Sequence, residues 1–97
     1  MTLNELRYIV AVARERHFGR AAEACHISQP TLSVAVRKLE DELGVALFER
    51  APGEVAITPV GRRIVEQAQR VLEEAAAVKR LASQGQDELA GILRLGV

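Results

Sequence analysis

Apolar side chains recur at helical spacing in the first part of the chain and indicate two helices before residue 25. A first helix is expected from residue 3 to about residue 16, because Thr2 and Glu5 can form a capping box at its start. Phe18 is a candidate core residue between the helices, and Gly19 marks the predicted break before a second, short helix. The pattern therefore predicts a pair of packed helices at the N-terminus.

The stretch from residue 20 to residue 43 predicts two helices separated by a tight turn. Ala21 and Ala22 are small enough for another helix to cross closely. Ser28 is suited to cap the next helix, and Pro30 falls in its first turn, where a missing N–H costs nothing. The apolar positions of that helix form one stripe, which is expected to be buried: Leu32, Val36, Leu39 and Leu43. Two helices joined in this way predict a helix-turn-helix.

The period of the pattern changes after Gly44, which is expected to end the helix. Residues 46–50 and 55–57 are short β-prone runs on either side of Pro52 and Gly53, a pair that favours a tight turn. This part of the chain is therefore predicted to be a two-stranded wing. The predicted fold class is mainly α: a winged helix-turn-helix with a three-helix core and a two-stranded wing, followed by a long linker helix.

Thr58 and Pro59 are suited to cap and begin that helix, and nothing interrupts the helical pattern before Gly85. At 1.5 Å per residue, residues 59–84 would span roughly 39 Å, more than so small a domain can cover. The helix carries a seam of apolar and small residues, which we predict to form a dimer with the same helix of a second copy: Ile64, Ala68, Val71, Leu72, Ala75, Val78 and Ala82. The alternative is a helix packed wholly on its own domain.

These elements divide the chain into three segments. Residues 1–58 are predicted to be the winged helix-turn-helix domain and residues 59–84 the linker and dimerisation helix. Residues 85–97 are interpreted as a hinge and the start of a further domain, because residues 92–97 alternate as a first strand would.

Composition adds little to the prediction of fold but restricts the function. The 97 residues are 48% hydrophobic and 27% charged, as in a soluble globular domain, and the formal net charge is zero. A nucleic-acid-binding surface would therefore need uneven placement of charge, and residues 14–38 do carry five basic and two acidic side chains. A cytoplasmic location is expected, because the sequence has one cysteine, no membrane-spanning apolar run and no signal-peptide pattern.

One face of the second helix of the helix-turn-helix carries groups that can read DNA. Glutamine can pair with adenine, hydroxyl groups can bond most base edges, methyl groups can contact thymine, and arginine or lysine can bind guanine or phosphate. The candidate DNA-binding residues on and beside this face are Arg20, Ser28, Gln29, Pro30, Thr31, Ser33, Val34, Arg37, Lys38 and, on the wing, Arg50. A solvated helix face would have a similar composition, so the residue types alone leave both interpretations open.

The motifs of the chain resemble the N-terminal DNA-binding region and linker helix of LysR-type transcriptional regulators. The most specific pattern is F-x-R-A-A-x-x-C-H-x-S-Q-P-T-L-S from Phe18 to Ser33, followed by L-F-E-R at 47–50 and T-P-x-G at 58–61. The resemblance covers the whole chain. Within the family, His17-Phe18, Cys25-His26 and the run from residue 38 to residue 45 resemble the OxyR-type branch of peroxide sensors.

The resemblance implies a partner and an assembly. In LysR-type proteins the residues that correspond to Gln29, Pro30, Thr31 and Ser33 touch bases or adjacent phosphates, and the wing arginine, here Arg50, approaches the minor groove. The expected partner is double-stranded DNA with an interrupted palindromic site. The family's long helix pairs in a homodimer, and an effector-binding domain follows it, usually in a tetramer of the full-length protein.

Val34 departs from the family pattern, because many relatives have an arginine there, whereas a valine could contact only a thymine methyl group. Two alternative functions stay open at this point. One is a regulator of the same family that responds to a small-molecule inducer. The other is a winged-helix interaction or dimerisation module that does not bind DNA.

No arrangement of residues in the sequence indicates catalysis, a metal site or a cofactor. No nucleophile with a base, phosphate loop or carboxylate pair stands out, and the acids at residues 40–42 are interpreted as a solvated face. His17, Cys25 and His26 lack the spacing of metal ligands. Cys25 is expected to pack on the core, and the two histidines are expected to cap helices or face phosphate. The chain is therefore not expected to be an enzyme.

Overall fold

The computed structural model describes residues 1–52 and 54–95, with side chains up to residue 89. The elements in chain order are α1 (Leu3–Glu15), α2 (Phe18–Ala24), α3 (Gln29–Leu43), β1 (Phe48–Ala51), β2 (Glu54–Ile57) and α4 (Pro59–Leu95). The two strands form an antiparallel hairpin. The predicted fold class, a winged helix-turn-helix followed by a long helix, is confirmed.

Capping interactions set the ends of α1 and α3 as predicted. The amide of Glu5 donates to Thr2 Oγ1 (3.1 Å), and the amide of Thr2 donates to Glu5 Oε1 (2.8 Å), which completes the capping box. Ser28 Oγ accepts a hydrogen bond from the amide of Thr31 (3.2 Å) at the start of α3. Gly44 ends α3 with a left-handed φ of 74°, a conformation that glycine adopts without strain.

The break between α1 and α2 lies earlier than predicted. α1 ends at Glu15, and the residue that caps it, Arg16, has a left-handed φ of 53°. Phe18 and Gly19 already belong to α2. The prediction that Gly19 precedes the helix is wrong because His17 caps α2 instead: its Nδ1 accepts a hydrogen bond from the amide of Arg20 (3.1 Å). A side chain acceptor thus starts the helix where a glycine was expected to interrupt the chain.

The hydrophobic core lies where α1, α2 and α3 meet the wing and the first turns of α4. Its largest fully buried side chains are Ile9, Val12, Leu32, Val36, Leu39 and Leu47. The predicted stripe of α3 is confirmed except at Leu43, which is 37% exposed. The last turn of α3 lies beside the chain's own N-terminus, where Met1 is itself exposed and covers little apolar surface.

The wing is joined to the helices by buried side chains and by a backbone hydrogen bond. In the hairpin Phe48 lies opposite Ile57 and Arg50 opposite Val55, so these four side chains share one face. Phe48 and Val55 are buried, which makes this the inner face of the wing. The amide of Val55 also donates to the carbonyl of Arg16 at the end of α1 (3.2 Å). The predicted two-stranded wing is confirmed.

α4 begins in close contact with residues 44–47, the α3–β1 loop. Thr58 Oγ1 accepts a hydrogen bond from the amide of Gly61 (2.9 Å) and donates to the carbonyl of Ala46 (2.7 Å). A side-chain carbon at Gly61 would overlap the carbonyl oxygen of Leu47 and lie 2.8 Å from Thr58 Oγ1. Gly61 therefore permits the helix to pass directly over this loop.

α4 is longer than the sequence pattern predicts. The predicted helix stops at residue 84, whereas α4 continues through Gly85 to Leu95, about 56 Å in all. A glycine inside a helix costs only about 1 kcal/mol relative to alanine, and no proline follows it. The predicted strand is wrong for residues 92–95, which are helical; residues 96 and 97 lie outside the described residues. The division of the chain into domains stays a prediction.

Among the side chains of α4 described up to residue 89, those that pack on the core lie in the first half of the helix. Val65 and Ala68 are buried, and Ile64 and Leu72 are half-buried against the core. By contrast, residues 78–89 are all exposed. The alternative in which the helix packs wholly on its own domain is therefore excluded.

We predict that Gly61→Ala lowers the free energy of unfolding, although alanine is the better helix former by about 1 kcal/mol. The added carbon would overlap the carbonyl of Leu47, and such overpacking costs about 1–3 kcal/mol. Urea denaturation followed by circular dichroism measures the change. Gly85→Ala is the matched control, because nothing lies within 4 Å of a carbon added there. Equal stability of the two variants would contradict a packing constraint at Gly61.

Candidate nucleic-acid interface

α3 presents an exposed face on the side away from the core. The side chains on this face that are exposed or half-buried are Gln29, Pro30, Thr31, Ser33, Val34, Arg37 and Lys38. Val34 is 68% exposed, whereas Leu32 and Val36 on the other side of the helix are buried. All the candidate residues of α3 therefore lie outside the core and can contact a partner.

Ser28 and Thr31 hold one another at the start of this face. Besides the bond from the Thr31 amide, their two hydroxyl oxygens are 2.7 Å apart, and either can be the donor. Thr31 Oγ1 keeps an acceptor site for a further partner in either case, whereas Ser28 keeps either an acceptor site or its O–H group to donate. The cap therefore orients both hydroxyl groups and fixes the first turn of α3, which carries Gln29 and Pro30.

Arg50 reaches the same face from the wing. It projects from the inner face of β1, and its guanidinium carbon lies 4.4 Å from the centroid of the Phe18 ring, within range of a cation–π interaction. From this position Arg50 lines a cleft with Ser33, Val34 and Arg37 of α3. This cleft thus brings together two arginines, a hydroxyl group and an aliphatic side chain.

A neighbouring cleft connects the start of α3 to the wing. Gln29 and Ser33 line it together with Arg50, and Arg16 and Glu54 contribute one charge of each sign. The two clefts share Ser33 and Arg50, so they form one continuous region. The structure thus brings together five of the candidate DNA-binding residues, which we call the α3–wing surface: Gln29, Ser33, Val34, Arg37 and Arg50.

Arg20 has a partner on α1. Its Nη2 donates to the carbonyl of Glu15 (3.0 Å), and its Nε lies 3.9 Å from the carboxylate of the same residue. The side chain is exposed, and exposed ion pairs contribute little to stability. Arg20 therefore links α2 to the end of α1, and a contact of Arg20 with DNA stays a prediction.

The acidic run at residues 40–42 is not the uniformly solvated face that the sequence predicted. Glu40 is half-buried, and its Oε2 accepts hydrogen bonds from the amides of Leu47 (2.7 Å) and Phe48 (3.3 Å). Glu42 accepts a hydrogen bond from the N-terminal ammonium group (2.8 Å), which raises the pKa of that amino group. Sequence analysis missed this role of Glu40. Its position one turn before the end of α3, close to the loop that follows, was the only indication of it.

Cys25 and the two histidines occupy structural positions. Cys25 ends α2 and is half-buried against the core, and this burial raises the pKa of its thiol, although Arg14 opposes the change. His17 caps α2, which is one of the two roles predicted for the histidines. His26 lies in the turn between α2 and α3, with a φ of 58°.

Among residues 1–52 and 54–95, no group of three His, Cys, Asp or Glu side chains could hold a metal ion. No helix in the same part of the chain is long and apolar enough to cross a membrane.

The predicted dimerisation seam divides into two parts. The seam residues that pack on their own core are Ile64, Ala68 and Leu72. The exposed seam residues are Val71, Val78 and Ala82, and Ala75 is half-buried in an apolar groove beside Leu3 and Val78. The same chain therefore covers Ala68 and partly covers Ile64 and Leu72, and their contact with a second copy stays a prediction.

Phe18 contacts Arg50 at the edge of the α3–wing surface, which sequence analysis missed. It is predicted as a core residue, and it is buried, yet one face of its ring also contacts Arg50. No spacing in the sequence indicates this contact, because the two residues lie on different elements and meet only when the wing packs on α2.

The greater part of the chain matches a known family. Residues 3–62 match the family described as "Bacterial regulatory helix-turn-helix protein, lysR family". Two curated relatives are each 50% identical over all 97 residues: the "Hydrogen peroxide-inducible genes activator" of Pectobacterium carotovorum subsp. carotovorum and the "DNA-binding transcriptional dual regulator OxyR" of Escherichia coli (strain K12). The chain spans 32% of each relative, about a third of its length.

Solved structures of similar fold include a full-length regulator and a complex with DNA. A full-length OxyR variant from Pseudomonas aeruginosa has a TM-score of 0.84 and 66% sequence identity, with 88% of this chain and 29% of that chain covered. The "CbnR_DBD-DNA complex" has a TM-score of 0.83 and 33% identity, with 88% of this chain and 98% of that chain covered. Because the family match extends over more than half of the chain and the relatives align along its whole length, the chain belongs to the LysR family of bacterial helix-turn-helix regulators.

Proposed function

We propose that this chain binds double-stranded DNA in a sequence-specific manner, as the DNA-binding region of an OxyR-like transcriptional regulator. The observation that carries the proposal is the α3–wing surface, where an amide, a hydroxyl group, an aliphatic side chain and two guanidinium groups converge outside the core. These are the groups that recognise base edges and phosphates. The similar structure of CbnR in complex with DNA supports the same function.

In this function α3 is the recognition helix and lies in the major groove. Gln29 is placed to pair with adenine and Ser33 to bond a base edge, while Val34 offers only methyl groups, which suit thymine. Arg37 and Arg50 supply the charge that attracts phosphate or guanine. Because the formal net charge is zero, this attraction depends on the local arrangement of arginines and not on the chain as a whole.

We propose in addition that the exposed half of α4 forms a homodimer. Val78 is 66% exposed and borders the apolar groove that also contains Ala75 and Leu3, which a second α4 could fill. A two-fold dimer would present two copies of α3 to the two halves of an interrupted palindromic site. Pairing of two such dimers would make a tetramer.

A response to hydrogen peroxide in the cytoplasm, with activation of transcription, is the regulatory part of the proposal. Its support is the name of the curated relatives, of which this chain spans about a third. Cys25 is not proposed as the reacting thiol, because burial raises its pKa and the thiolate is the nucleophilic form. We therefore propose no sensing role for this thiol.

Base reading can be tested by replacing Gln29 or Ser33 with alanine. Each change should relax the preference at one or two base pairs per half-site, with a loss of about 1–3 kcal/mol of discrimination for a well-formed contact. Binding titrations against single-base variants of a duplex selected by the wild-type protein measure this loss. Gln69→Ala removes the same group from an exposed position on α4 and should change nothing. Unchanged discrimination in both α3 variants would remove these residues from the set that reads DNA.

Arg50→Ala should behave differently from the α3 variants. A contact with phosphate or with the minor groove contributes to binding of any duplex, so affinity should fall by a similar factor for all sequences. The slope of log affinity against log salt should also become shallower by about 1. Arg63→Ala, on an exposed part of α4, is the control for the lost charge. A loss confined to one sequence would argue against this role of Arg50.

Val78→Glu tests the dimer. The charge would lie at the centre of the proposed contact between helices, where an unpaired buried charge costs several kcal/mol, whereas the exposed side chain contributes little to its own core. Sedimentation should report a folded monomer with the helical content of the wild type, and affinity for a symmetric site should fall more than affinity for one half-site. Arg80→Glu, on the other side of α4, should remain dimeric. If Val78→Glu is also dimeric, the pairing of α4 helices is excluded.

A further inference from the structure

The guanidinium group of Arg50 lies on a rigid aromatic surface. Its carbon is 4.4 Å from the centroid of the Phe18 ring. Phe18 is only 7% exposed, and its ring is in turn in edge-to-face contact with Phe48 of β1, with the centroids 6.5 Å apart and the planes at 80°. The ring therefore has little freedom to move, and the guanidinium group that stacks on it has a fixed support.

Stacking restricts Arg50 without neutralising it. An exposed arginine side chain loses rotamer entropy when it binds a partner. Within residues 1–52 and 54–89, no carboxylate forms an ion pair with Arg50. A cation–π contact leaves the N–H donors that do not face the ring available for another acceptor.

The ring of Phe18 also determines the direction in which the side chain of Arg50 points. Because Arg50 lies on the inner face of β1, the ring holds its side chain over α2 and beside Ser33 and Arg37 of α3. Without the ring, the side chain of an exposed hairpin residue would be free to extend into solvent. With the ring, the positive charge of Arg50 lies next to Ser33 and Arg37 of the recognition helix.

We infer that Phe18 is a positioning residue of the DNA interface: its ring holds the guanidinium group of Arg50 at the α3–wing surface before DNA arrives. The inference rests on the proposed DNA-binding function, and it adds a residue that does not itself need to touch DNA. Preorganisation of this kind reduces the side-chain entropy lost on binding and so strengthens the complex.

A double-mutant cycle in DNA binding tests this role. Phe18→Leu keeps an apolar side chain in the core but removes the aromatic face, and Arg50→Ala removes the group that it supports. In the otherwise wild-type chain, Phe18→Leu should weaken binding to a duplex enriched from a random pool about two- to fivefold, the loss that corresponds to an exposed cation–π contact. In the Arg50→Ala background the same change should have no further effect, because the two residues then act as one unit.

Two controls separate positioning from loss of stability. Val65→Ala removes buried methyl groups from α4, away from Arg50, and should lower the melting temperature without changing affinity. Phe18→Tyr retains the aromatic face and should bind DNA as the wild type does. In the free protein, the Nε–H proton resonance of Arg50 should show an upfield ring-current shift that disappears in Phe18→Leu and persists in Phe18→Tyr.

The outcomes distinguish this inference from the function on which it rests. If Phe18→Leu weakens binding equally in both backgrounds, Phe18 acts through the fold and the inference is overturned, while DNA binding stands. If Arg50→Ala binds as well as the wild type, the inference is overturned because there is no Arg50 contact to support. Failure of the wild-type chain to enrich any duplex would overturn the DNA-binding function itself.

Discussion

The α3–β1 loop, residues 44–47, is held through its backbone from two sides, and the position of the wing relative to α3 depends on it. Glu40 accepts hydrogen bonds from the amides of Leu47 and Phe48, while Thr58 Oγ1 donates to the carbonyls of Ala46 (2.7 Å) and Leu47 (3.2 Å). A carboxylate and a hydroxyl group thus satisfy amides and carbonyls that lack partners in regular secondary structure. The loop can then stay short and ordered between two elements.

This arrangement explains how a chain with no net charge can have a localised basic surface. The loop places β1 against α2, the inner face of β1 directs Arg50 onto the ring of Phe18, and the guanidinium group comes to lie beside Arg37 of α3. Of the acids near these arginines, Glu40 binds backbone amides, whereas Glu54 lines the cleft beside Gln29 and Arg50. Local geometry, more than composition, therefore determines the electrostatic character of the surface.

α4 has two physical environments along one helix. Its first turns complete the core through Val65 and Ala68, which ties the helix rigidly to the DNA-binding domain. Its later turns leave Val78, Leu81 and Leu89 exposed, although such side chains are usually buried. A helix anchored at one end and uncovered at the other would transmit the orientation of a dimer contact directly to α3. The proposed spacing of DNA half-sites depends on this rigidity.

The sequence by itself determined the features that depend on neighbours within one helical turn. The capping box of Thr2 and Glu5, the N-cap of Ser28, the left-handed Gly44, and the inward stripe of α3 as far as Leu39 were predictable, because each involves residues three or four apart. The family motif likewise indicated the helix-turn-helix and the exposed face of α3.

Only the tertiary structure decided the contacts between residues far apart in the sequence. The bonds of Glu40 to the loop, the stacking of Arg50 on Phe18, and the exposure of Leu43 depend on which elements lie opposite one another. The end of α4 was mispredicted for a related reason: one glycine costs a helix about 1 kcal/mol, too little to stop it where the flanking residues favour the helix. Local preference predicts an element well, whereas its partners are determined by packing across the whole chain.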